Sequence, residues 1–192
     1  MKRSYVQTTR ARSAELTGER ILDAAHARFA VADYDDVTLD QVAADAGVTV
    51  QTVLRRFASK EGVVGALSDR IRAQVLAQRG EAPVGDLAGA VANLVEHYEL
   101  EGGLVLHLLR QELRVPAYAE VTAGGRRLHA DWCAQVFAPW LDGLGGADRR
   151  RRTAQVVAIC DVHTWSLLRR QEGLSRRQTE LAIGELLTGV LT

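Results

Sequence analysis

Apolar side chains along this chain recur three and four residues apart, and runs of alternating β-branched positions that would suggest strands are missing. The pattern predicts helices. A first one covers about Thr17 to Ala32, with Ile21, Leu22, Ala25 and Phe29 on one stripe, and stops at Asp33-Tyr34-Asp35-Asp36. Thr38 opens a second, where Gln41 three places on completes a Thr-x-x-Gln capping box. Leu39, Val42, Ala43 and Ala46 face inward, and Gly47 ends it. Thr49 caps a third helix, anchored by Val53 and Phe57, and Ser59 caps a fourth over about 60–78. Gly80-Glu81-Ala82-Pro83 reads as a linker.

Beyond the linker the pattern predicts helices at about 85–101, 104–113 and 117–141. Gly102-Gly103 and Val115-Pro116 separate them, and Gly124-Gly125 is a weak point within the last. A long helix over about 148–172 stops at Gly173, and Ser175-x-x-Gln178 opens a final one to Leu191. The expected fold is all-α, about nine helices. It divides into a flexible basic arm (1–14), a three-helix head (15–62), a connecting helix and linker (63–82), and a larger helical body (83–192).

Composition agrees. With 192 residues, 47% of them apolar, the chain has material for a sizeable core, and three prolines leave long helices uninterrupted. No apolar run reaches the ~20 residues of a membrane span, and the N-terminus lacks a signal peptide's apolar middle. Cys133 and Cys160 lie in apolar helical patterns without a CxxC spacing, which suits reduced core thiols in the cytoplasm.

The zero net charge hides local excess. Residues 47–60 hold Arg55, Arg56 and Lys60 with no acid, and residues 1–14 hold Lys2, Arg3, Arg10 and Arg12 with none. Neutrality overall argues against nonspecific polyanion binding, while basic patches allow a specific kind. The stretch TLDQVAADAGVTVQTVLRRFASK meets the needs of a helix-turn-helix. Ala43 is small where the helices touch, Gly47 suits the turn, and Val53 anchors the recognition helix. Its outer face offers Thr49, Val50, Gln51, Thr52, Leu54, Arg55 and Arg56. Gln reads adenine, Thr and Val touch thymine methyls, and Arg reaches guanine or phosphate. Lys60 at a helix start reads as a phosphate clamp, and Thr38 and Thr49 as further backbone contacts. The basic arm is a candidate minor-groove contact, with a solubilising tail the equal alternative.

The segment ERILDAAHARFAVADYDDVTLDQVAADAGVTVQTVLRRFASKEGVV resembles the N-terminal domain of TetR-family transcriptional regulators over about residues 19–64. The remainder is similar in architecture only. The resemblance implies a two-fold dimer built on the last two helices, a palindromic operator in double-stranded DNA, and a body that binds a small effector. Most such proteins are repressors released by ligand. Two positions depart from the family: Leu54 stands where a Tyr usually contacts phosphate, and Asp33 where a Gly usually follows the first helix.

In the body, the apolar residues of 148–172 and 175–191 wrap beyond one stripe, which suits a homodimer face. Tyr98, His107, His129, Trp132, His163 and Trp165 are the leading candidates for an effector pocket, each of them also at home in a packed core. Catalysis is the competing class, as is a same-fold activator or a regulator without effector. Cys160, Asp161 and His163 suggest a thiol nucleophile, but on an unbroken helix Asp161 and His163 lie about 200° apart and cannot orient one another. His97 with Glu101 and His107 with Glu112 are too few for a metal centre. No cofactor or metal is expected.

Overall fold

The computed structural model describes residues 2–192, with side chains from Arg12 onward. Helix α1 spans Lys2–Phe29, α2 Leu39–Asp45, α3 Val50–Phe57, α4 Lys60–Gly80, α5 Leu87–Gln111, α6 Pro116–Val136, α7 Ala138–Leu141, α8 Gly146–Ile159, α9 Val162–Ser166 and α10 Arg176–Leu191. A short 3₁₀ turn, Tyr34–Asp36, joins α1 to α2, and α9 widens into a π-turn over Leu167–Gln171. Among the described residues there is no strand. No helix is long and apolar enough to cross a membrane.

Both capping boxes form. Thr38 accepts the Gln41 amide (3.2 Å) while Gln41 Oε1 accepts the Thr38 amide (2.8 Å), and Ser175 with Gln178 repeats the exchange at 3.3 and 3.0 Å. Each satisfies two amides that a helix start leaves orphaned.

Four boundaries differ from the sequence pattern. The arm is not separate: no Pro or Gly interrupts 2–17, and α1 is helical from Lys2, with the Thr17 hydroxyl bonded to the Ser13 carbonyl (2.9 Å). The Gly102-Gly103 pair does not end a helix, because α5 runs through it. Gly102 lies under the Trp165 ring, and a Cβ there would sit 2.6 Å from that ring, so the glycine serves close packing. Gly124-Gly125 leaves α6 unbroken, and the chain turns instead at Phe137. The long helix expected over 148–172 breaks at Cys160–Asp161, where the Asp161 carboxylate caps α9 by accepting the His163 amide (2.8 Å).

Two apolar cores result. One gathers Ile21, Phe29, Val42, Val53, Val63 and Leu67 of the head, and it is closed by Val115 and Tyr118 from α6. The other fills the body around Leu94, Tyr98, Trp132, Phe137, Cys160, Trp165, Ile183 and Leu187. Helix α4 belongs to both regions, starting at Lys60 in the head and ending beside the body core.

Head and body meet at the Tyr34 turn. The Tyr34 ring stacks on Phe29 and meets Tyr118 edge-on, centroids 6.0 and 5.3 Å apart. Its amide donates to Gln111 Oε1 (2.9 Å), Arg110 pairs with Asp33 (2.7 Å), and Arg114 pairs with Asp33 and Asp35.

Candidate nucleic-acid interface

The turn between α2 and α3 needs a residue with positive φ, and Gly47 supplies it at +64°. Val48 returns its amide to the Ala43 carbonyl (3.0 Å), which folds the chain tightly enough for α3 to cross α2. Thr49 then caps α3, its hydroxyl accepting the Thr52 amide (3.3 Å) and contacting the Thr52 hydroxyl (3.0 Å). Val53 is fully buried against the head core and sets the rotation of α3 about its axis. With that face down, Gln51, Leu54 and Arg55 are exposed, and Thr52 is half-exposed beside them.

The far end of α3 is held by an unusual turn. Ala58 has φ +66° and ψ −43°, and the Ser59 amide reaches back to the Phe57 carbonyl (2.8 Å). This is a strained γ-turn. Gly62 makes it possible, because a Cβ there would lie 1.8 Å from the Phe57 carbonyl oxygen. Ser59 caps α4 from the same corner through the Gly62 amide (3.2 Å).

Three of the expected contact residues are placed otherwise than the sequence pattern implied. Arg56 is exposed but not free: its Nη1 donates to the Ala14 carbonyl (2.7 Å) and its guanidinium lies over Gly18, where a Cβ would approach to 2.3 Å. The guanidinium thus fastens α3 to α1. Lys60 does not stand free as a phosphate clamp: its Nζ donates to the Tyr34 carbonyl and sits 4.0 Å from the centre of the Tyr34 ring. Burial pushes this ammonium below the ordinary lysine range, against the pull of Asp35, Glu61 and Asp36. Val50 is half-buried and packs on the head core, so only part of it faces out. Thr38 keeps its cap, with its hydroxyl already accepting the Gln41 amide.

A groove of about 700 Å³ runs between α1 and α3, lined by Ser13, Thr17, Arg20, Thr49, Thr52, Arg55 and Arg56 among others. Arg20 escaped the sequence reading. It is exposed, and it adds a third guanidinium to the groove beside Arg55 and Arg56. Its signal was weak, since an arginine on the polar side of an amphipathic helix is ordinary. The minor-groove contact suggested for Lys2, Arg3 and Arg10 falls outside the described side chains.

Residues 21–67 match the family model of bacterial regulatory proteins, tetR family. None of the curated proteins matches the chain significantly. Solved structures resemble it along most of its length. A transcriptional regulator from Rhodococcus sp. Rha1 is 19% identical, covers 93% of this chain and 96% of its own, and has a TM-score of 0.68. A transcriptional regulator (TerR/AcrR family) from Aquifex aeolicus VF5 is 15% identical, covers 91% of this chain and 99% of its own, and also has a TM-score of 0.68. SmeT, solved as its triclosan complex, is 22% identical, covers 90% of each chain and has a TM-score of 0.67. At these identities the likeness is one of fold, and it extends over the body as well as the head.

Behind the head, the body residues expected at an effector pocket divide into groups. Tyr98, Trp132 and Trp165 share the body core, with Tyr98 and Trp165 ring centroids 5.7 Å apart. The Tyr98 hydroxyl donates to the Cys160 carbonyl (2.9 Å), Trp132 Nε1 to the Arg79 carbonyl (3.0 Å) and Trp165 Nε1 to Glu99 (3.2 Å). His129 is half-buried, with Nε2 near Cys133 Sγ (3.7 Å) and the Val157 carbonyl (3.2 Å). His107 lies elsewhere, at the head–body seam, with Nε2 2.8 Å from the Ala32 carbonyl and Gln111 Nε2 at the same distance. His163 is a surface residue, its side chain 68% exposed, with Nδ1 2.8 Å from Asp161. That pairing corrects the helical-wheel argument, because Asp161 is an N-cap and is not inside a helix with His163. Cys160 stays fully buried. Among the described residues no group of three or more His, Cys, Asp and Glu could hold a metal ion.

Proposed function

We propose that this chain is a dimeric transcriptional regulator that reads a palindromic operator and acts as a repressor released by a small effector. The observation that carries the DNA-reading part is the outer face of α3, where Gln51, Leu54 and Arg55 project from a helix seated on fully buried Val53. Arg20 and Arg55 give the flanking groove its positive charge, and phosphate contact by such groups supplies most of the affinity. Gln51 is the base reader with Thr52 beside it, while Thr38 and Thr49 cap the helix starts where backbone contacts form.

Exposed Leu167, Leu181 and Leu186 on the π-turn and α10 support self-association through the C-terminal helices, with 57% of Leu181 left to solvent in the single chain. The likeness to SmeT, which holds triclosan, supports a small-molecule effector in the body. Two buried free cysteines suit the reducing cytoplasm.

A mobility-shift assay against the DNA flanking its own gene tests the reading, with sedimentation for the dimer. Arg55→Ala is expected to weaken binding to all sequences and to lower the salt slope by about 1. Gln51→Ala should shift base preference at one position of each half-site, by about 1–3 kcal/mol. A protein that leaves such DNA unshifted at low salt, or the two variants behaving identically, counts against the proposal.

A further inference from the structure

Arg79 sits in the last turn of α4, only 4% exposed, and its Nε and Nη1 have no hydrogen-bond partner. No carboxylate among the described residues pairs with it. Its guanidinium carbon lies 4.4 Å from the centre of the Trp132 ring and 5.4 Å from that of Tyr98, whose hydroxyl it also approaches. Aromatic faces soften the burial of a cation, but they do not replace acceptors.

The shortage extends around it. Nine buried side-chain atoms of the described residues lack partners, and five belong to Gln78, Arg79, Asn93 and His129. Gln78 and Asn93 tie α4 to α5 by donating to each other's backbone carbonyls (2.9 and 2.7 Å), leaving their own amide oxygens unused. His129 Nδ1 is unused as well. Native interiors pair nearly all such atoms, so orphans gathered at one seam point to a guest.

The local field is positive. Burial drives His97 down to about 3, aided by Arg79 and His129, so it is neutral there. The Cys133 thiol is held below its usual range by hydrogen bonds from Cys160 and His129 and by the charges of His129 and Arg79. The Trp132 indole beside Arg79 meets Phe137 edge-on, centroids 6.0 Å apart, and both belong to the apolar body core.

We infer that the body binds a small organic carboxylate with an apolar or aromatic tail, one oxygen received by the unused Nε or Nη1 of Arg79 and its tail packed beside Trp132 and Tyr98. A hydrogen bond from a charged guanidinium to a carboxylate oxygen is about twice as strong as a neutral one, and the aromatic surroundings favour an organic acid over inorganic phosphate. The site deepens the effector-released reading and names the effector's class. Since α4 begins at Lys60 in the head, a guest that grips Arg79 acts on the rod that carries α3.

Thermal melting of the full chain, at matched ionic strength, tests it with benzoate, phenylacetate and hexanoate beside neutral benzamide and inorganic phosphate. At least one carboxylate is expected to raise the melting temperature by roughly 5–10 °C near 100 times its dissociation constant, and benzamide and phosphate should not. Arg79→Met should abolish the response without lowering the ligand-free melting temperature, and Arg79→Lys should weaken binding about tenfold. Silence from all three carboxylates, an equal response in Arg79→Met, or a response to phosphate alone overturns the inference. A mobility-shift assay separates the two readings: intact DNA binding with no carboxylate effect removes the site alone, while a carboxylate effect without DNA binding removes the regulator alone.

Discussion

Helix α4 carries a cation near each end, and the two are treated oppositely. Lys60 at its start donates to the Tyr34 carbonyl and rests on the Tyr34 ring, in a corner where Glu61 also accepts the Tyr34 hydroxyl (2.8 Å). Arg79 at its end has rings on two sides and unused donors. The first end is a closed structure that fixes how the reading helix is held. The second is an open one, whose cost of several kcal/mol per buried charge is offset only in part by the two rings. A rod locked at the reader and unsatisfied at the body suits a protein whose reading geometry has to respond to something entering the body.

The largest test of the closed end is Gly62→Ala. Its Cβ would meet a backbone oxygen that cannot move without undoing the γ-turn at Ala58, so a loss of about 3 kcal/mol is expected in denaturant unfolding, together with loss of operator binding. Tolerance of the methyl would show the corner to be soft. Lys60→Ala comes next. Removing the donor leaves the Tyr34 carbonyl only the long bond from the Val37 amide (3.4 Å), a loss of about 1 kcal/mol, while the salt dependence of DNA binding should change little. A salt slope reduced by about 1 with unchanged stability would return Lys60 to the phosphate backbone and erase the contrast between the two ends.

At the open end, pH is the sharper probe. His97 titrates near 6.5 when unfolded and at about 3 in the fold, so between those values the unfolded chain binds the extra proton. Stability should therefore fall as pH drops from about 6.5 toward 3, by up to about 1.4 kcal/mol per unit, and His97→Asn should flatten that limb of a pH–stability profile. An unchanged profile in the variant would place the acid sensitivity elsewhere. The smallest effect belongs to Ala58→Gly. Relieving a positive φ should stabilise the head by about 1 kcal/mol, a rise of roughly 2–4 °C in melting temperature. A fall would mean that chain entropy outweighs the strain.

What the chain determined by itself was local: the caps at Thr38, Thr49, Ser59 and Ser175, the positive-φ turn at Gly47, and the burial of Val53 that rotates α3. Each depends on residues within about one helical turn, which is why spacing alone revealed the head. The glycines of the body misled, because a glycine that ends a helix and one that admits a ring, as Gly102 admits Trp165, look alike in one dimension. The same holds for charge. Arg55, Arg56, Lys60 and Arg79 are all basic residues on helices, and only packing across elements decided which faces solvent, which grips a carbonyl and which is left buried with its donors unused. Partners such as Ala14, Tyr34 and Trp132 lie tens of residues away, and a guanidinium's fate is set by the acceptors within hydrogen-bonding reach of it.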